Sequence, residues 1–150
     1  MRRVRAVLPT VERGSTLLLF PAGILVVMLL SAIAVDLTVV HTARRELQRA
    51  VNAATDDAAA LLDLDRLYGD GAVAIDLADA RRSVEADLAA LPGIRVLSTR
   101  VVAGPDADRI EVRVVGEVNH IFGRALPGVP ATERIVASVA GVLVVRPVDL

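Results

Sequence analysis

Cysteine is missing from the chain altogether. Disulfides, thiolate nucleophiles and cysteine-based zinc sites are therefore excluded, and an oxidising extracytoplasmic setting is permitted without being required. Tryptophan is also absent, leaving Phe20, Tyr68 and Phe122 as the aromatic residues. Lysine is absent too: all 17 basic residues are arginine, set against 18 acidic ones for a net charge of −1. Such a chain has neither a basic field for phosphates nor rings for base stacking, so nucleic acid is not expected as a partner. The all-arginine basic set, beside the Ala, Val and Leu load, reads as the codon usage of a GC-rich genome rather than a binding signature.

What the chain has in quantity is apolar sequence, 54% of its 150 residues. Much of it lies in one run, Ser15 to Val35, STLLLFPAGILVVMLLSAIAV, which has no charged side chain. A bilayer core about 30 Å thick is spanned by roughly 20 helical residues, so residues 15–35 are long enough to cross it. A helix apolar on every side and buried in protein would need a far larger chain around it. Pro21 falls within the first two turns, where few upstream carbonyls lose a partner, so a kink is expected rather than a break.

Residues 1–14 carry Arg2, Arg3, Arg5 and Arg13 against Glu12. The positive-inside rule then places this basic segment in the cytoplasm and the rest of the chain outside, since long domains translocate largely regardless of their charge. Ala32-Ile33-Ala34 fits the small-x-small pattern of a secretory cleavage site. Against cleavage, the apolar run exceeds the usual 7 to 15 residues of a signal core and the helical pattern continues across the cut.

Beyond Asp36, a charge at the membrane boundary, apolar residues narrow to one face. Val40, Leu47, Ala54 and Leu61 recur every seven positions, with Ala43, Ala50 and Leu64 three further on. Arg45, Gln48, Arg49, Asn52, Asp56 and Asp63 fall elsewhere. This spacing predicts an amphipathic extension of the membrane helix over 36–68, with Gly69 as its first break. The face formed by Val40, Ala43, Leu47, Ala50, Ala54 and Leu61 can serve as core within this chain, as a helix-to-helix assembly surface, or as both.

These residues also carry a family resemblance. Glu12-Arg13-Gly14-Ser15, the apolar span ending Ala34-Val35-Asp36-Leu37, Arg44-Arg45-Glu46-Leu47-Gln48 and the alanine-rich stretch Asn52 to Ala60 together resemble the N-terminal region of TadE/TadG-like proteins. Those are pilin-like components of tight-adherence, or Flp-type, pilus assembly. The resemblance implies a membrane-anchored, non-enzymatic protein whose partners are other pilin-like or assembly proteins, itself included. It also implies a prepilin-peptidase cut between Gly14 and Ser15, with a glutamate five residues on. Leu19 stands at that position, and leucine cannot register neighbouring subunits in lipid as a glutamate can. The chain is therefore closer to the TadG-like branch, in which the anchor is retained.

Residues 69–150 are expected to form a small extracytoplasmic α+β domain. Asp76 can cap a helix reaching Leu91, with Leu77, Ala80, Val84, Leu88 and Leu91 on one face and Pro92-Gly93 as its stop. Ile94 to Val102 and Arg109 to Val118 read as strands joined across Gly104-Pro105-Asp106. In the second, Ile110, Val112 and Val114 alternate with Arg109, Glu111 and Arg113, giving one dry face and one wet. A loop holding Gly123, Pro127, Gly128 and Pro130 precedes Ile135 to Val145. That last segment is apolar on both faces, which predicts a central strand. The expected fold is thus α+β: a long N-terminal helix, a second helix and a small three-stranded antiparallel sheet.

Chemistry-bearing constellations are scarce. His41 near the end of the span and His120 at the end of a strand lack a nucleophile elbow to accompany them. The acids from Asp63 to Asp70 lack an EF-hand's turn glycine, at Tyr68, and its closing glutamate, at Ala74. No catalytic residue, metal or cofactor is expected. The chain reads as a pilin-like component working by helix packing, or alternatively as an exported or anchored domain that binds a ligand or envelope component unconnected with pili.

Overall fold

The computed structural model describes residues 15–89, 91–105, 108–125 and 128–143. Gly14, the basic segment before it, Asp106, Pro127 and Val145 lie outside the described residues.

Helix α1, Ser15–Ala59, runs unbroken through Pro21 and through Ala32-Ile33-Ala34. Two environments divide it. From Leu19 to Val35 the side chains are exposed, with Ala32 alone partly covered, whereas Asp36, Val40, Ala43, Leu47, Val51, Ala54, Thr55, Ala58 and Ala59 are buried. It is long and apolar enough to cross a membrane.

The amphipathic part ends at Ala59, not at Tyr68 as the seven-residue spacing suggests. Neither proline nor glycine stops it. Instead Leu62 bridges Ile75, with Asp63 donating to the Ala74 carbonyl and Asp76 to that of Leu61. These backbone bonds pull the chain into an antiparallel clamp that competes with another helical turn. Inside the excursion lies α2, Leu64–Gly69, capped by Asp63.

Helix α3, Leu77–Leu88, begins where Asp76 accepts hydrogen bonds from the amides of Ala78 and Asp79. It ends short of the expected Leu91, in keeping with the extended backbone favoured by a residue before proline, here Pro92. Ala80, Val84 and Leu88 are buried, and Leu77 and Leu91 pack beside them.

Three strands follow: β1 Arg95–Ala103, β2 Arg109–Asn119 and β3 Thr132–Val142, in an antiparallel sheet of order β1-β2-β3. The expected α+β architecture is present. One expectation is corrected: the last strand, expected to be central because it is apolar on both faces, forms an edge. Each strand pairs antiparallel with the next one in the chain, a meander that puts the second strand in the middle whatever its outward residues are. Thus β2 is central while exposing Arg109, Glu111 and Arg113, and β3 leaves Val136 and Val142 exposed. Helix α1 covers the inner face of β3 and β2, and α3 packs on α1 and β1. The closest approach is at Gly141, where a Cβ would lie 2.8 Å from Thr55 Cγ2 and 3.1 Å from Ala59 Cβ.

Candidate functional site where the apolar helix meets the folded domain

Asp36 occupies the first position after the uncharged run and is 8% exposed. A bare carboxylate buried there would be costly, so its partners define the site. It accepts hydrogen bonds from three successive backbone amides of the β2–β3 connection: Ile121 to Oδ1 at 2.7 Å, Phe122 to Oδ1 at 3.0 Å and Gly123 to Oδ2 at 2.6 Å. Successive N–H groups converging on one anion make a concave cradle. A short 3₁₀ turn, Gly123–Ala125, begins at its last member. Gly123 fits because a Cβ there would approach Asp36 Oδ2 and His120 Cβ, each at 3.2 Å.

Burial raises the Asp36 pKa, but the amides of Phe122, Gly123 and Ile121, with a smaller contribution from His120, outweigh it and hold the carboxyl below its ordinary value of 3.8. The His120 ring stands between two carboxylates, its Nδ1 3.9 Å from Asp36 Oδ2 and its Nε2 3.9 Å from Glu133 Oε2. Both separations exceed a hydrogen bond, and buried Nδ1 has no hydrogen-bond partner among the described residues. Glu133 in turn pairs with Arg44 on α1. One end of the domain is thereby tied to the helix by Asp36 and Arg44, two turns apart on α1.

The arrangement moors the connection to the helix: a buried carboxylate held by three successive backbone amides fixes the loop against α1. Among the described residues no cluster of three or more His, Asp or Glu side chains could hold a metal ion. His41 lies exposed on α1, away from His120's cluster of partners.

The residues of the expected packing face have known places. Val40, Ala43, Leu47 and Ala54 are buried in the chain's own core, while Ala50 and Leu61 are partly buried against it. Ser15 opens α1, and Gly14 lies outside the described residues. Sequence reasoning marked Asp36 as a boundary charge and missed Ile121, Phe122, Gly123, Glu133 and Arg44 as its company. The available signal was Ile121-Phe122-Gly123 itself, a bulky apolar pair followed by a glycine at the start of a connection rich in glycine and proline.

The helix that carries this carboxylate is also where the chain is similar to known proteins. Residues 14–62 match the Tad family model, "Putative Flp pilus-assembly TadE/G-like". The match takes in α1 and the turn after it and stops before α2, so it contains Asp36 and Arg44 but not the sheet. The resemblance carried by Arg13 to Ala60 is thus found over nearly the same residues. A role related to Flp pilus assembly is supported, and the Tad match together with the apolar helix suits a membrane-anchored protein. No curated protein and no solved structure matches the chain.

Proposed function

We propose that this is a non-enzymatic, pilin-like component of a tight-adherence pilus or its assembly machinery. It is anchored by residues 15–35 with its N-terminus in the cytoplasm, and residues 69–150 lie outside. The observation carrying this reading is the Tad match on the one helix whose apolar half is free of the chain's own fold. Because Val40, Ala43, Leu47 and Ala54 are engaged inside the chain, partner contact falls mainly on the lipid-embedded half. There Ala22, Gly23, Ser31 and Ala34 allow close helix approach. Retention of the anchor follows from Leu19 at the position where a processed pilin carries glutamate.

The absence of cysteine makes the test clean. Single cysteines placed in turn from Ala22 to Ala34 and oxidised in native membranes should crosslink to a second copy or an assembly protein. The yield should peak every three to four residues. A scan with no crosslink at any position would remove helix packing in lipid as the mechanism. Deleting the gene should abolish piliation, and the chain should restore it. Intact pili in the deletion strain would favour an anchored domain with no pilus role.

A further inference from the structure

The cradle around Asp36 fixes more than a carboxylate. Because the amides of Ile121, Phe122 and Gly123 bond to a side chain one residue past Val35, the β2–β3 connection is held at the level where the apolar span ends. A helix rises about 1.5 Å per residue, so this level lies within a few ångströms of the hydrocarbon boundary. There the start of the connection presents two large apolar side chains to the outside: Ile121 is 50% exposed and Phe122 46%. Val35 and Leu37, the neighbours of Asp36 on the helix, are exposed as well, and Arg124 is exposed two residues past Phe122. Backbone amides that would be costly in lipid are already satisfied by Asp36.

We propose that Ile121 and Phe122 form a second membrane contact, inserted into the headgroup–acyl boundary beside the span. The folded domain is then seated on the bilayer rather than swinging from a single helix. The occupant is lipid, for three reasons. The loop is continuous in height with the lipid-spanning segment. Its exposed side chains are apolar, of the kind that interfacial segments bury about 5–10 Å into the boundary, and an adjacent arginine can snorkel to the headgroups. The inference rests on residues 15–35 spanning a membrane, and its test separates the two.

The chain has no tryptophan, so single-tryptophan variants report one position each. Full-length protein carrying Phe122→Trp, Leu30→Trp or Tyr68→Trp is reconstituted into phosphatidylcholine/phosphatidylglycerol vesicles with and without acyl-chain-brominated lipid. Tyr68, 85% exposed, lies past the far end of α1. Emission from Leu30→Trp should be quenched strongly. Phe122→Trp should be blue-shifted and lose at least about half its emission, as expected of a ring at the boundary, while Tyr68→Trp is unchanged. If Phe122→Trp behaves like Tyr68→Trp while Leu30→Trp is quenched, the loop stands off the membrane and the proposal fails with the anchor intact. Blue-shifted but unquenched Phe122→Trp emission means that protein covers the loop, which also overturns the proposal. An unquenched Leu30→Trp removes the span and the second contact with it.

Discussion

Asp36 gives up its proton more readily in the folded chain than its ordinary value of 3.8 implies, because three amides and His120 favour the charged form over the cost of burial. The linkage has a definite sign. A lowered folded pKa contributes stability that is fully present above the unfolded value and is lost as pH falls from there through the folded value. Asp36→Asn should therefore melt lower than the parent at neutral pH, with the gap closing below about pH 3.8, as read by thermal unfolding in detergent. In the same variant the amides of Ile121, Phe122 and Gly123 should exchange hydrogen roughly tenfold faster while that of Val112 does not change. A glycine comparison tests the helix–sheet contact. Gly141→Val drives a branched side chain into Thr55 and Ala59 and should cost about 1–3 kcal/mol. Gly69→Ala meets nothing within 4 Å and should shift stability by no more than about 0.5 kcal/mol. The carboxylate's position was legible in the sequence, but its partners lie some 85 positions away, beyond any local pattern.

At the scale of the element, α1 changes character along its length. Around Val35 the apolar residues change from covering all sides to covering one, and burial changes with them. Leu47, 1% exposed, is central to the buried stripe, and Leu47→Ala should cost about 2–5 kcal/mol by chemical unfolding. The strands offer a sharper contrast. If β3 were a central strand buried on both sides, Val136→Thr would be damaging. As an edge strand with Val136 exposed, it should accept the change within about 0.5 kcal/mol, whereas Val112→Ala in β2 should cost on the order of 2 kcal/mol. Helix and strand positions were readable from period and capping, as with Asp76. The early end of α1 was not, because the Leu62–Ile75 bridge joins two segments neither of which signals the other.

For the whole molecule, the division of labour within α1 predicts separability. The segment from Leu19 to Val35 contributes nothing to the buried core, whose residues begin at Val40. A fragment covering residues 34–150 should stay folded in water, with helical circular dichroism and a cooperative melt, while the full chain resists alkaline carbonate extraction from membranes. A fragment that fails to fold would show that the lipid segment supports the domain. Conversely, the tie between Asp36 and the β2–β3 connection fixes how the sheet sits against the end of the apolar part of α1.

The amino-acid sequence alone determined the long apolar helix, its amphipathic continuation, the helix capped by Asp76 and the alternating strands. Each rests on periodicity or on the chemistry of near neighbours, which one stretch of chain contains in full. Only the tertiary structure decided where the long helix stops, which strand lies in the middle, and that Asp36, at the end of the apolar run, is also a mooring point for the β2–β3 connection. Those outcomes depend on backbone groups meeting across long separations in the chain, where the pairing that satisfies the most buried polar groups prevails.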